Sequence, residues 1–434
     1  MTPQPTQQTA DPPRPCCDAN GALDEERICL LHLTTNPMSL GFFAGQARYM
    51  RERRFDVHVL SSPGAELASF ALREGVKAHT VQMERRITPM RDLVALFRIC
   101  RVLRSVRPRI VHAHTPKAGL LGILAAWFAR VPVRIYHLPG LRYVTCTGWS
   151  RLLRRWTERI SCFLAHRVLC VSPSLRDVAV EEGICPAKRI RVLLGGSVNG
   201  IDVERFQPAT TQTRALERVA LGIPQEAFVV GFVGRVVREK GIVELATAWR
   251  TLREKFADLW LFLVGPVEPQ DPVPGEVLKL LRSDARVILR GLDWNTPPLY
   301  AGMDLFVLPS YREGLPSSTL EAAAMGLPVI ATRIPGCIDT VQDGVTGTLV
   351  PPCDAPALIE AIARYRLDPA LRQQHGEAGR GRVSREFRQT AIWNATRAEY
   401  FALLAQRGSG QSRLREQSAP SRLTASAESR RGEP

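Results

Sequence analysis

YREGLPSSTLEAAAMGLPVIAT, from Tyr311 to Thr332, is the stretch whose reading decides the fold. Glu313 and Glu321 stand eight positions apart in it. Between them lie Gly314, Leu315, Pro316, Ser317 and Ser318, a loop of small and turn-forming residues that leads into a helix predicted from about Ser318 to Met325. The apolar run LPVIAT, Leu327–Thr332, then predicts a buried strand. One reading is an ordinary loop–helix–strand unit with surface carboxylates. The other is a binding site. A Gly-containing loop at a helix N-terminus points backbone N–H groups at phosphate oxygens, and each carboxylate can accept hydroxyl donors from a sugar or a ribose.

Working outward, the same unit recurs along the chain. In the second half, AFVVGFVGR (Ala227–Arg235), LWLFLVG (Leu259–Gly265), ARVILRG (Ala285–Gly291), DLFVLPS (Asp304–Ser310) and GTLVPP (Gly347–Pro352) read as strands. In the first half the strands are RICLLHLTT (Arg27–Thr35), FDVHVLSS (Phe55–Ser62), GVKAHTVQM (Gly75–Met83), RIVHAH (Arg109–His114), VPVRIYH (Val131–His137) and HRVLCVS (His166–Ser172). Helical patterns separate them, among them Met90–Arg107, Lys117–Arg130 and Lys240–Lys255. Strands alternating with helices predict parallel sheets covered on both faces, with right-handed crossovers and ligands at the carboxyl ends of the strands. Gly195–Pro224 is rich in turn formers and reads as a linker. The predicted organisation is α/β: a disordered leader over 1–25, a doubly wound domain over 26–200, a hinge over 201–225, a second doubly wound domain over 226–388, a helix over 389–407 that returns to the first domain, and a disordered tail over 408–434. A cleft between two such domains is a preferred place for a small-molecule site.

Composition narrows the class. The 434 residues are 45% hydrophobic and 23% charged, as in an ordinary globular chain. No apolar run reaches the roughly 18–20 residues that span a bilayer, and the Pro- and Gln-rich start has no apolar core of a signal peptide. The ten cysteines show neither CxxC pairing nor Cys/His metal spacing, so free thiols in a reducing cytosol are expected. The formal net charge is +16, and residues 26–200 carry 28 Lys or Arg against 11 Asp or Glu. Such a field favours an anionic partner, whether acidic lipid, a phosphate-bearing substrate or nucleic acid. Two basic stretches, Arg85–Arg109 and Arg142–Arg159, interleave Arg with Leu, Val, Phe or Trp at helical spacing. They fit a membrane surface, or core-packed helices with solvated basic faces.

GRVVREKGI (Gly234–Ile242) adds a second anion locus. A predicted strand ends at Gly234, and Arg235 and Lys240 follow at a helix start, an arrangement suited to a diphosphate.

With these motifs in view, the chain resembles the retaining glycosyltransferases of family 4, which have the GT-B architecture of two facing Rossmann-like domains. The resemblance spans roughly Arg27–Ala405. It is carried by the Glu-x7-Glu motif in Glu313–Thr332, by GRVVREKGI, by NGIDVERF (Asn199–Phe206), by DGVTGTLVPPCDAPAL (Asp343–Leu358), and by HAHTPKAGLLG (His112–Gly122), a stretch familiar in members that build surface polysaccharides. The resemblance implies that Arg235 and Lys240 stabilise the departing diphosphate without a metal ion. It implies that Glu313 binds the transferred sugar and Glu321 the nucleotide ribose. Gly234 and the loop Gly314, Leu315, Pro316, Ser317 and Ser318 then hold the donor, and Arg290 and Gly291 lie where the family holds the nucleobase. Gly41 and Lys117 fall in acceptor or interdomain loops. His137 stands near the place of a family histidine that reaches the donor sugar, although here RIYHLPGLRY puts Pro139, not His, before Gly140. GCIDTV (Gly336–Val341) carries Asp339 where many members carry Glu. Retention is expected by front-face attack, with the leaving phosphate as base and no protein nucleophile.

The implied activity is transfer of a hexose or N-acetylhexosamine from a nucleotide-sugar, with UDP preferred by family habit, to an undecaprenyl-diphosphate-linked saccharide. The implied place is the anionic inner face of the cytoplasmic membrane, where a peripheral cytoplasmic protein would serve capsule, O-antigen or exopolysaccharide synthesis. No cofactor beyond the nucleotide-sugar co-substrate and no nucleic acid are expected. Two other classes remain. A sugar-nucleotide epimerase uses the same scaffold, so fold alone does not decide. The net charge also suggests a nucleic-acid-binding protein, but the Arg-rich stretches lack a recognisable reader module.

Overall fold

The computed structural model describes residues 27–84 and 86–417, with side chains described as far as Arg407. The expected leader, Arg85 of the first basic stretch and residues 418–434 of the expected tail lie outside the described residues. Among these residues the chain forms thirteen strands in two parallel sheets. The first sheet holds β1 (Ile28–Leu33), β2 (Phe55–Ser61), β3 (Lys77–Thr80), β4 (Ile110–Ala113), β5 (Val133–Leu138), β6 (Arg167–Cys170) and β7 (Ile190–Val192), in the order β3-β2-β1-β4-β5-β6-β7. The second holds β8 (Phe228–Val233), β9 (Leu259–Val264), β10 (Val287–Arg290), β11 (Leu305–Leu308), β12 (Val329–Thr332) and β13 (Gly347–Val350), in the order β10-β9-β8-β11-β12-β13. Every named strand pair is parallel. Each sheet reverses its strand order once, between β1 and β4 and between β8 and β11. Ligands in such sheets bind outside the carboxyl ends of the strands at that reversal.

The near-continuous Val, Leu, Ile and Phe runs of the central strands follow from burial on both faces. Leu30, Leu31 and Leu33 are fully buried, as are Phe262, Leu263, Phe306 and Val307. One face of the first sheet packs the helices Pro89–Val106, Pro116–Phe128 and Gly148–Leu164. The other packs Gln46–Arg51, Ala65–Glu74 and part of the long helix Gln389–Gln417, whose Tyr400 and Leu403 join that core. Trp393 donates to Asn199, and Arg167 pairs with Glu399 at 2.6 Å. The last helix among the described residues is thereby fastened to the first domain. It runs on to Gln417, past the expected boundary at 407.

Three local expectations need correction. The stretch read as a hinge contains the helix Thr211–Leu221. Thr210 caps it by accepting from Thr213 N, and its buried Arg218 pairs with Asp304 at 2.7 Å. The helix is tied to the second sheet by an ion pair, with Leu216 and Val219 exposed, and the turn formers on either side of it made the whole stretch read as a linker. β7 was not expected; three residues give too short a pattern to read. β3 is shorter than the expected Gly75–Met83, because only Lys77–Thr80 finds partners on β2.

Candidate functional site

The two ends of the site enter from opposite sides of the strand-order reversal in the second sheet. After β8 the chain makes the 3-10 turn Arg238–Lys240 and then the helix Ile242–Lys255. Gly241 joins them at φ 71°, and a Cβ there would strike the carbonyl oxygen of Pro309. This close approach, open only to glycine, sets Lys240 against the chain that leaves β11. Lys240 Nζ lies 2.5 Å from Glu313 Oε1, with both side chains largely buried. Arg235 pairs with Glu239 at 2.6 Å and Glu268 at 3.0 Å, and Arg312 pairs with Glu239 at 2.7 Å. Burial alone would raise the Glu239 carboxyl, but Arg312 and Arg235 outweigh it and hold it below its ordinary value. Arg142 of the first domain stands near enough to Arg312, Arg235 and Glu239 for their charges to act on it. Four cations, Arg142, Arg235, Lys240 and Arg312, thus converge on one region.

The loop that carries the acidic motif crosses between the domains. Ser172 Oγ donates to Gly314 O at 2.8 Å. A Cβ on Gly314 would fall on the carbonyl oxygen of Pro139, and one on Gly140 would touch the Gly314 backbone at 3.7 Å. Leu315 packs against the cores of both domains. Pro316 is buried, and the helix begins at Ser317, one residue before the expected start. Thr319 Oγ1 donates to Pro316 O at 2.7 Å in its first turn. Beside this crossing, Ser174 bonds Asp339 through its backbone N–H and its hydroxyl, and Gly336 N donates to Ser174 Oγ at 2.8 Å. Asp339 therefore serves as an interdomain clasp in this structure.

Glu321 sits one turn into the helix. Tyr300 donates its hydroxyl to Glu321 Oε2 at 2.9 Å. Burial raises the Glu321 carboxyl above its ordinary value, with the Tyr300 hydrogen bond opposing.

The remaining expected residues are more dispersed. Arg290 ends the edge strand β10 as an exposed side chain paired with Asp293 at 3.1 Å, and Gly291 is exposed beside it. Gly234 follows β8 and donates to Val264 O at 2.9 Å. Gly41 is exposed within the 3-10 segment Pro37–Phe43, with no neighbour that a Cβ would meet. Lys117 is held by Asp92 at 2.6 Å and by the carbonyl of Glu84 at 2.7 Å, so in this structure its ammonium fastens the segment before the helix Pro89–Val106. His137 is 5% exposed and packs among His32, His112 and His114. Burial drives all four imidazoles down, His32 to about 3 and His137 to about 4, so each is neutral near pH 7.

Sequence reading did not single out Glu239, Glu268, Arg312 or Ser172. Glu239 and Arg312 do sit inside the two quoted motifs, as the acidic residue of REK and the basic residue before Glu313. Their pairing across 73 positions is a property of the fold.

Two facing parallel-sheet domains, with cations and carboxylates gathered where the second sheet reverses its order, define the GT-B class of transferase. Residues 213–382 match the family described as glycosyl transferases group 1, and residues 41–196 match the glycosyl transferase 4-like domain. The chain is 33% identical over 375 residues to the capsular polysaccharide biosynthesis glycosyltransferase CapM of Staphylococcus aureus, covering 86% of this chain and 97% of that one. It is 28% identical over 322 residues to the UDP-Gal:alpha-D-GlcNAc-diphosphoundecaprenol alpha-1,3-galactosyltransferase of Escherichia coli, covering 73% of this chain and 82% of that one. The crystal structure of Anabaena HepE in complex with UDP-glucose superposes with a TM-score of 0.73 at 21% identity, covering 87% of this chain and all of that one, a likeness of fold. The chain belongs to the group 1, family 4-like glycosyltransferases, and it is a transferase enzyme.

Proposed function

We propose that this protein transfers a hexose or N-acetylhexosamine from a UDP-sugar, with retention, to an undecaprenyl-diphosphate-linked saccharide during bacterial surface-polysaccharide synthesis. The observation that carries the proposal is the Lys240–Glu313 pair at the strand-order reversal, flanked by Arg235 and Arg312 and roofed by the first domain at Gly140. The E. coli relative's name, which specifies a UDP-sugar donor and a diphosphoundecaprenol acceptor, supports the substrate classes.

In this reading the donor diphosphate lies between the start of helix Ile242–Lys255 and the start of helix Ser317–Ala324, whose N-termini favour negative charge. The sugar C1–O bond to the diphosphate breaks, and the acceptor hydroxyl oxygen bonds C1 on the same face. Its proton passes to the departing phosphate oxygen. Lys240 and Arg235 meet the charge that builds on the diphosphate, in a region where neighbouring walls exclude much of the water. Both cations already hold carboxylates, so a diphosphate competes with Glu313 and Glu268 for them. Glu313, with one oxygen taken by Lys240, grips a sugar hydroxyl, and Glu321, buttressed by Tyr300, takes the ribose. No metal and no cofactor enter these steps.

The first domain suits a membrane-bound acceptor. The helices Pro89–Val106 and Gly148–Leu164 flank Pro116–Phe128 on one face of the sheet. Met90, Phe97, Trp127, Trp149, Trp156 and Phe163 are exposed along these three helices, Trp149 by 77%. Arg151, Arg154, Arg155 and Arg159 share the third helix with its two tryptophans. An apolar row among cations fits the interface of an anionic bilayer. No helix among the described residues is long and apolar enough to cross a membrane, so contact with lipid would be at the surface.

The test is a donor screen. The protein is incubated with UDP- and GDP-sugars and a bacterial lipid-linked saccharide, and released nucleotide is measured. Acceptor-dependent UDP release supports the proposal. Release with GDP-sugars alone corrects the nucleotide, and interconversion of the donor without transfer selects the epimerase reading.

A further inference from the structure

The first sheet carries an unusual group at its own strand-order reversal. His32 on β1 and His112 on β4 face each other in the strand register. His114 follows β4, and His137 comes from β5. None of the four is more than 5% exposed. Their rings are layered, with His112 and His114 centroids 4.1 Å apart, His32 and His114 5.0 Å, and His112 and His137 5.3 Å. His32 Nδ1 lies 2.8 Å from His114 Nε2, and His112 Nε2 lies 3.3 Å from His137 Nδ1.

The protein does not satisfy this cluster. His32 Nε2, His114 Nδ1 and His137 Nε2 are buried and have no hydrogen-bond partner among the described residues. A buried polar atom left unpaired is destabilising, and three in one cluster call for an explanation, of which a bound ion is one. One ring nitrogen from each of His32, His112 and His114 lies within 4.8 Å of the other two. In a tetrahedral zinc site with Zn–N bonds of about 2.0–2.1 Å, neighbouring ligand nitrogens are roughly 3.4 Å apart. The 4.8 Å outer bound on the separations among the three ligand atoms admits that value. His112 Nδ1 meets the Tyr400 hydroxyl at 2.7 Å. A partner on the far nitrogen is how metal-ligating histidines are held in one tautomer and one orientation. Here that partner comes from the helix Gln389–Gln417.

We propose that His32, His112 and His114 bind a divalent transition-metal ion of the zinc class, with His137 supplying or flanking the fourth position and Tyr400 orienting His112. A purely imidazole set suits Zn2+, Ni2+ or Cu2+ and rejects Mg2+ and Ca2+. The site belongs to the first domain, whereas the Lys240–Glu313 pair belongs to the second. It joins β1, β4 and β5 to the C-terminal helix, so its role is to hold the acceptor-side domain together. The proposal does not depend on the donor chemistry proposed above.

The experiment uses full-length protein stripped with a chelator and titrated with Co2+, whose visible absorption reports tetrahedral nitrogen ligation, followed by displacement with Zn2+. One bound equivalent is expected. The substitutions His32→Gln and His114→Gln should abolish it. Tyr400→Phe should weaken affinity by about 10–100-fold. His58→Gln should leave it unchanged, because the separate Cys29, Asp56 and His58 group is the other set of close ligand atoms among the described residues. Circular dichroism identifies any histidine variant that fails to fold, and Tyr400→Phe, which removes one hydroxyl, then carries the test. Failure of wild type to bind Co2+ or Zn2+ stoichiometrically overturns the proposal. So does retention of the ion in the folded histidine variants, unchanged affinity in Tyr400→Phe, or loss in His58→Gln.

Discussion

Lys240 Nζ lies 2.5 Å from Glu313 Oε1, and the two residues reach that contact from opposite sides of the strand-order reversal in the second sheet. The pair fixes the position of a cation that would otherwise sit on a flexible stem. Glu313→Gln keeps the side-chain size and removes the charge that orients Lys240. We expect kcat to fall by about 10²-fold or more, the scale of losing a preorganised electrostatic group. Steady-state kinetics on a donor and acceptor pair would measure it, with the thermal midpoint reporting an intact fold.

Gly314 lies where the two domains touch. Adding a methyl group places Cβ on the Pro139 carbonyl, and the Ser172 hydrogen bond to Gly314 O must lengthen. Gly314→Ala should hold the cleft wider. A displacement of about 1 Å at a catalytic site can cost about 10²-fold in rate, so a loss on that scale is expected, together with a larger radius of gyration by small-angle X-ray scattering. An unchanged profile with full activity would show that the crossing plays no part.

Glu158 is a buried residue of the helix Gly148–Leu164 and accepts from Tyr136 at 2.7 Å. Burial pushes its carboxyl up to about 7 from 4.5. The folded state therefore prefers the protonated acid. The stability it contributes is present below about pH 4.5 and is lost as pH rises through 7, a change on the order of 3 kcal/mol. Glu158→Gln removes this dependence while keeping an acceptor for Tyr136. The variant should match wild type in denaturant midpoint near pH 4.5 and exceed it above pH 7. Equal midpoints at both values would refute the assignment.

The apolar row on Gly148–Leu164 gives a separate prediction. Trp149 and Trp156 are exposed, and Arg159 lies 5.3 Å over the Trp156 ring. Replacing both tryptophans with Ser should reduce flotation with liposomes that contain acidic lipid. Rising salt should release wild type, because exposed charges are screened over about 10 Å at 0.1 M. Equal flotation on neutral liposomes would remove the electrostatic part of the account.

Much of this architecture was legible in the residues. Short apolar runs such as LWLFLV and LFVL have the length of strands covered on both faces, and their alternation with helices points to parallel sheets. The acidic motif and GRVVREKGI were legible as motifs because their signals are local, a glycine, a loop and a charge within a few positions, and the fold pairs Lys240 of one with Glu313 of the other. Features assembled from distant segments stayed hidden. The helix Thr211–Leu221 is secured by Arg218 reaching Asp304 eighty-six positions away, which no periodicity reveals. The imidazole cluster draws His32, His112, His114 and His137 from three strands, and only the β1–β4 register brings the first pair together. The clasp between Ser174 and Asp339 needs two domains placed face to face.

The most direct test of the central claim is transfer itself, measured in wild type and in Lys240→Ala. Each protein is given a UDP-sugar and an undecaprenyl-diphosphate-linked saccharide, and nucleotide release and the lengthened lipid-linked product are followed together. The account predicts one nucleotide released per sugar added, retention at the anomeric carbon by NMR, and a kcat about 10²–10³ lower in Lys240→Ala with unchanged thermal stability. Equal transfer by Lys240→Ala, or an inverted anomeric centre, would contradict it.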